Sequence, residues 1–298
     1  MKKNIGITAL IAFCAIVTVE AATTDKKAPE QLSASQKSFC WKISTPNSSM
    51  FLLGSVHLGT PDMLKMAKPV EEAFDKSQYL IVEVDVLKAK KDQAAMMEKL
   101  MYTAPDSLKN HISSNMYEEL VAYFARYNTP IQAIDQLKPG AVAMTITMLK
   151  LSELGYDPEF GIDKYFLEKA QTGKKVVELE SMDQQLNLIN GLGEDFLKYT
   201  LQENEKSKEE FEKIIKAWKT GNPAEIEALL QQTLKENPDM QTFMDKFIFE
   251  RNTKMAANLE KALRRKGTYF TVVGAAHLVG DKGILNLLKK KGYTVEQL

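Results

Sequence analysis

Two short stretches near opposite ends of the chain carry one pattern: FLLGSVHLG at 51–59 and TVVGAAHLVG at 271–280. Each reads as a buried apolar strand, Phe51-Leu52-Leu53 or Thr271-Val272-Val273, that runs into a glycine with a histidine three residues later. The sequence has only three histidines, and two of them, His57 and His277, occupy this pattern. A glycine at the end of each run lets the chain take a positive φ, or approach another group closely, as it leaves the sheet. The histidines are therefore expected in loops at the carboxyl ends of strands, where open α/β sheets form ligand sites. Neutral imidazole is the commonest metal ligand and a common general base, so two histidines converging on one cleft point to a metal or acid–base site. One isolated Gly-x-x-His would be read as a satisfied turn histidine, whereas the matched pair favours function.

Lys2 and Lys3 precede an apolar stretch from Ile5 to Val19, closed by Val19-Glu20-Ala21, the layout of a secretory signal over 1–21. The stretch is short for a membrane span. Its removal takes away Lys2, Lys3 and Glu20, so the formal charge moves from 0 to −1. A near-neutral chain offers no electrostatic case for nucleic acid or an anionic membrane as partner. Cys14 leaves with the signal, and Cys40 alone can form neither an internal disulfide nor a cysteine-based metal motif. Export, to the periplasm or the medium, is expected from the signal and not from cysteine usage. Residues 22–38, rich in Lys, Ser, Ala and Gln, read as a flexible lead-in, and 39–298 as the folded domain.

Within that domain an alternating strand at 39–43 is expected to form a hairpin with 51–54 across Thr45-Pro46-Asn47-Ser48. Residues 61–77 read as a helix, and YLIVEVDV at 79–86 as a strand with Glu83 inside it. A carboxylate there must be paired, hydrogen-bonded or metal-bound, unless Glu83 and Asp85 lie on the solvent face of an edge strand; the local pattern leaves both open. Residues 88–127 read as mostly helical, with Asn115 and Glu118 as a capping box for the helix ending at Tyr127, and with His111 on the surface. An apolar helix is expected over 139–154, too short and interrupted to span a membrane. Another follows over 161–174, with Asp163 stabilised near its start by the helix dipole. Residues 175–179 read as a strand that places Glu180 at its carboxyl end, facing the histidines. The section 184–265 reads as helices broken at 191–193, Gly221-Asn222-Pro223 and Asn237-Pro238, with solvated charged faces. Within it Arg251 is either a surface charge or the planar donor that holds a carboxylate or oxyanion. The expected class is α/β: a mixed sheet with flanking helices and this helical section between the two Gly-x-x-His strands.

Taken in order, WKI at 41–43, FLLGSVHLG, YLIVEVD, the GID segment at 161–163, GKKVVELESMDQQLNLI at 173–189, FERNTKMA at 249–256 and VVGAAHLVGDKGILNLLKKKGYTVEQL at 272–298 resemble the TraB/GumN family, with the animal Tiki proteins as a more distant branch. The resemblance covers essentially everything after the lead-in. It implies an α/β domain carrying a helical section, with a site made by the two Gly-x-x-His loops and a strand glutamate. Tiki-like members are metal-dependent peptidases that favour manganese or cobalt, which would make His57, His277 and Glu83 metal ligands. Zinc also suits imidazole and carboxylate donors. In that chemistry Glu83 or Glu180 would take the proton from water and Arg251 would stabilise the developing oxyanion. The expectation is an exported metal-dependent hydrolase acting on peptide bonds. The alternative is a protein that sequesters a peptide or other small ligand without hydrolysing it, since no HExxH signature is present. A serine hydrolase using Ser55 fits poorly, because Gly54-Ser55-Val56-His57 lacks the second glycine of a nucleophile elbow.

Overall fold

A computed structural model describes residues 37–202 and 205–298, side chains of 205–207 excepted. The secretory signal expected at 1–21 and residues 22–36 of the lead-in lie outside the described residues. The expected hairpin opens the fold: β1 (Cys40–Ser44) and β2 (Ser48–Ser55) pair antiparallel, with Cys40 opposite Leu53 and Ser44 opposite Ser49. Thr45 builds its turn, since its hydroxyl accepts the Ser48 N–H at 3.0 Å and the Asn47 N–H at 3.3 Å.

Four more strands follow: β3 (Tyr79–Val82), β4 (Lys175–Glu178), β5 (Gly267–Gly274) and β6 (Val295–Gln297). They join the hairpin in one six-stranded sheet of order β4-β3-β5-β2-β1-β6. β4, β3, β5 and β2 are mutually parallel, while β1 runs against β2 and β6. β5 pairs with β2 from Ser48 opposite Gly267 to Ser55 opposite Gly274. That register sets the two Gly-x-x-His stretches side by side although more than 200 residues separate them. Leu52, Leu53, Leu80, Ile81, Val82, Phe270, Val272 and Val273 are all buried, as expected for central parallel strands covered on both faces. On one face the rings of Phe74 and Phe166 lie 5.4 and 4.8 Å from that of Phe270, fixing the helices Lys68–Lys76 and Ile162–Ala170 to β5.

Several expectations shift by a few residues, each for a local reason. The helix expected over 61–77 is a 3₁₀ turn, Pro61–Leu64, followed by a separate helix Lys68–Lys76. Pro69 lacks an N–H and is tolerated only in a first turn, so the helix restarts there. The strand expected over 79–86 stops at Val82, because Glu83 turns away to bond outside the ladder and the Asp85 carboxylate caps the short helix Val86–Ala89. β3 lies between β4 and β5, which removes the edge-strand reading of Glu83 and Asp85. The helix expected to end at Tyr127 is Ser114–Ala125, capped by Ser113 and not by an Asn115–Glu118 box. Ser113 is itself held by Glu194 through both its N–H and its hydroxyl, and its Oγ accepts the Met116 N–H. His111 is a surface residue, stacked on Tyr102 with ring centroids 4.0 Å apart and bonded to Asp106.

The helical section runs from Met182 to Leu263 and breaks at the three expected places. It is anchored to the sheet by Trp218, whose indole N–H donates to the Gly54 carbonyl at 2.6 Å. No helix among the described residues is long and apolar enough to cross a membrane.

Candidate functional site

The carboxyl ends of β2, β5 and β3 lie side by side, and each delivers one polar side chain to the same place. His57 follows β2 by two residues, His277 sits on the helical turn Ala275–Leu278 directly after β5, and Glu83 is the first residue beyond β3. All three are buried, His277 completely. Neither Gly54 nor Gly274 has a positive φ; close approach is what demands them. A Cβ on Gly54 would meet the Phe39 ring at 2.4 Å, and one on Gly274 would sit 3.3 Å from Glu83 Oε1, 3.4 Å from His277 Cδ2 and 3.5 Å from His57 Nε2.

Hydrogen bonds on the far side of each ring fix which nitrogen is bare. His57 Nδ1 lies 2.8 Å from Asp163 Oδ1, and the same oxygen accepts the Ser55 hydroxyl at 2.8 Å. A carboxylate can only accept, so Nδ1 is the protonated nitrogen and neutral His57 has its lone pair on Nε2. His277 Nδ1 lies 2.6 Å from Asn252 Oδ1, while Asn252 Nδ2 donates to the Lys282 carbonyl at 2.9 Å. That second bond fixes the amide orientation, so His277 also donates from Nδ1 and leaves Nε2 bare. His277 Nε2 is buried and has no hydrogen-bond partner. It faces Glu83 Oε1 at 3.7 Å, too far for a hydrogen bond.

Glu83 is the centre of a second network. Its Oε1 accepts the Gly274 N–H at 2.6 Å and its Oε2 accepts Arg251 NH2 at 2.6 Å. Arg251 also donates from Nε and NH2 to Glu180 at 2.6–3.0 Å, and from NH1 to the Phe247 carbonyl at 2.9 Å. Gln185 Nε2 reaches Glu180 at 3.3 Å. Arg251 and Asn252 are consecutive on the helix Glu250–Leu263, which continues from a π-helical segment, Asp245–Phe249; such wide turns are frequent at functional sites.

The charge states follow from these contacts. Burial opposes the ionised form of Glu83, but the His277, Arg251 and His57 side chains and the Gly274 N–H outweigh it and hold the carboxyl down at about 2. Burial, with Arg251 and His57 nearby, pushes the His277 imidazole down to about 3 against the pull of Glu83. His277 is therefore neutral near pH 7, and Arg251 is the permanent cation beside Glu83. Burial also works against charge on His57, but Asp163 overcomes it and leaves that imidazole above its ordinary value. A carboxyl held near 2 is a weak base, so Glu83 suits cation holding better than proton uptake. Both oxygens of Glu180 accept from Arg251, and the Nε, NH1 and NH2 groups of Arg251 are all committed to carboxylates or a backbone carbonyl. The structure thus brings His57, His277, Glu83, Glu180 and Arg251 together, but places Glu180 and Arg251 behind Glu83 as its positioning pair. Asp163 and Asn252 belong to the site as well. Asp163 had a sufficient explanation at a helix start, and the signal for its role lies in Gly161 before it. A Cβ on Gly161 would meet the His57 carbonyl at 2.5 Å, and the Ile162 N–H donates to the Val56 carbonyl at 3.1 Å.

Among the described residues no group of three or more His, Cys, Asp or Glu side chains is drawn together as a formed metal centre. The donor set nevertheless fits a cation. Two imidazoles are fixed in the tautomer that presents Nε2, one of those nitrogens is a buried orphan, the carboxylate facing it is ionised, and a glycine keeps the space between all three open. Metal-ligating histidines commonly donate their other N–H to a carboxylate or amide in this way.

The sequence model of the TraB/PrgY/gumN family matches residues 39–297. Among curated proteins the chain is 25% identical over 252 residues to YbaP of Escherichia coli, described as uncharacterized, with 83% of this chain and 90% of that protein covered. A Nematostella vectensis protein described as a metalloprotease TIKI homolog is 22% identical over a 317-residue alignment, covering 87% of this chain and 66% of the relative. Another protein of that description, from Amphimedon queenslandica, is 35% identical over 57 residues, covering 18% of this chain and 11% of the relative. No solved structure matches the chain significantly.

Proposed function

The chain belongs to the TraB/PrgY/gumN family, and from that premise we propose that it is a metal-dependent hydrolase of peptide bonds that acts after export. The observation that carries the reading is the buried, unpartnered His277 Nε2 facing the ionised Glu83 at 3.7 Å, with the bare His57 Nε2 gathered beside Gly274 at the same point as the Glu83 carboxylate. Peptide bonds as the substrate rest on the relatives described as metalloproteases. Export rests on the lysine-flanked apolar segment at 1–21.

His57 Nε2, His277 Nε2 and Glu83 Oε1 would hold the ion. Bound there, a divalent cation would supply Lewis acidity toward a scissile carbonyl and toward water. The remaining work belongs to the chain. Asp163 and Asn252 keep both imidazoles in the donor tautomer, and Arg251 with Glu180 keeps Glu83 ionised and aimed. Burial excludes bulk water, which strengthens each of these charge interactions. Manganese, cobalt and zinc all suit this mixed nitrogen and oxygen set.

The test is metal content and turnover on residues 22–298 purified without chelator. Near-stoichiometric manganese, cobalt or zinc is expected by mass spectrometry, with cleavage of a denatured casein substrate that stops in EDTA and returns on adding the ion. A protein that takes up no metal even after loading, or cleaves equally well in EDTA, would sink the reading.

Gly274→Ala gives a second check. The added methyl would contact Glu83, His277 and His57 at 3.3–3.5 Å, so it fills the space between the donors without striking backbone. Metal affinity should fall by about 10–100-fold, the scale seen when a metal site's supporting shell is disturbed, with unchanged circular dichroism. Titration of the metal-free variant with the ion measures this directly, and wild-type affinity would mean that the ion binds elsewhere.

A further inference from the structure

The sheet has one bare margin, and it leads to the site. β4 ends the sheet, paired with β3 on one side and with no strand on the other among the described residues. All four of its residues are exposed. Val176 at 37% and Val177 at 43% are two of three large apolar side chains exposed to that degree among the described residues. Successive strand residues point to opposite faces, so the two valines leave both faces of β4 uncovered. At the opposite margin β6 has its Gln297 side chain engaged, donating to the carbonyls of Ser38 and Gly221.

The hydrogen-bond alternation shows what the bare margin offers. In a parallel pair, alternate residues of a strand bond the neighbour. Lys175 donates to Gln78 and Leu179 donates to Val82, so the N–H and C=O of Val176 and Glu178 face outward. An edge of this kind is a template for another strand.

We propose that β4 is the rail on which the substrate docks: an extended peptide adds as a strand along Lys175–Glu178 and bonds the backbone of Val176 and Glu178. The choice of occupant rests on the peptidase reading above. Direction favours a substrate over a second copy of the chain, because β4 runs on through Leu179 to Glu180, which holds Arg251 and through it Glu83. A strand beside β4 lies about 14 Å from β5, three spacings of ~4.8 Å, a gap that about four further extended residues cross at ~3.3 Å each. The peptide's side chains would lie beside Val176 and Val177 on the two faces, which selects β-branched or aromatic residues, the partners that pack best across strands.

The test uses full-length mature protein in EDTA and a fluorescein-labelled decapeptide of alternating threonine and valine closed by two lysines, with binding read by fluorescence anisotropy. Val176→Pro removes an N–H that bonds nothing within the sheet, and proline is accepted on strand edges; Val176→Thr keeps both the N–H and the branching. The proline variant should bind about tenfold more weakly, the value of one hydrogen bond, with native circular dichroism, and the threonine variant within about twofold. In the wild type, amide exchange at Val176 and Glu178 should slow when the decapeptide is added. Equal binding by the proline variant, no binding by the wild type, or unchanged exchange overturns the proposal. So does a wild-type dimer that the proline variant turns into a monomer, since a second copy would then cover the edge. Turnover separates the two readings: decapeptide binding by a protein whose turnover persists in EDTA, or never appears with the ion, sinks the metal hydrolase alone, and metal-dependent turnover without this binding sinks the rail alone.

Discussion

Arg251→Met should destabilise the protein by about 3–5 kcal/mol, the range found when one partner of a buried ion pair is removed and the other charge is left behind. Here two charges are left. The side chains of Arg251, Glu83 and Glu180 are 4%, 7% and 9% exposed, so neither carboxylate can recover water cheaply. Arg251→Lys should rescue little, because one ammonium cannot reproduce a planar fork that bonds Glu180 through two nitrogens and Glu83 through one of them. Adding Glu83→Gln and Glu180→Gln to Arg251→Met should restore much of the loss, since the cost comes from uncompensated charge. Urea unfolding followed by circular dichroism measures each step as a shift in midpoint at constant slope. A loss of under about 1 kcal/mol, the scale of exposed pairs, would show that the carboxylates reach solvent. The acid limb gives the sign independently. Glu83 is held at about 2, below the 4.5 of a free carboxyl, so its contribution is complete above the unfolded value and is lost as pH falls from there toward 2. Without Arg251 that acid-induced loss should shrink or reverse.

A saturating divalent ion should raise the melting temperature of the metal-free wild type by about 5–10 °C, and His277→Ala should abolish both the rise and peptide turnover. At a hundredfold excess over the dissociation constant, binding to the native state contributes about 2.7 kcal/mol. For a folded region of this size each kcal/mol moves the midpoint by about 2–4 °C. The wild type has particular reason to respond, because a buried acceptor without a partner costs about 1–3 kcal/mol, and His277 Nε2 is such an atom. His57→Ala should behave alike, with turnover lower by about a thousandfold or more if the ion carries the chemistry. Equal melting shifts in wild type and His277→Ala would place the ion away from these histidines.

The parts of this arrangement that were legible in the sequence are those that break a local pattern. Two glycines and two histidines repeated at the ends of apolar runs, a glutamate interrupting YLIVEVDV, and a glutamate closing KVVEL all stand out against their surroundings. Arg251 could be marked but not assigned, since a guanidinium at the start of a helix reads equally as a surface charge. Asp163 and Asn252 were hidden for the opposite reason: each is ordinary where it sits. An aspartate in a first helical turn satisfies the dipole, and an asparagine beside an arginine satisfies solvent. Their partners lie 106 and 25 residues away, and nothing local encodes that distance. The apolar pattern overruns the end of β3 because hydrophobicity continues through Val84, whereas the strand ends where the Glu83 carboxylate finds Gly274 and Arg251. Ser113 took the cap expected of Asn115 because Glu194, from a distant helix, holds it in place.

The place of β5 in the sheet governs when the site can come into being. It is the fifth strand in sequence but lies between β2 and β3, so during synthesis those two strands wait with unpaired inner edges until residues 267–274 arrive. The strand that closes the gap also carries His277, and the helix just before it carries Arg251 and Asn252. The two imidazoles cannot gather at Glu83 across that gap until residues 267–277 are available. On the proposed metal reading, the ion would be taken up in the compartment where the chain finishes folding, so the choice of metal would be made by location as much as by ligand chemistry.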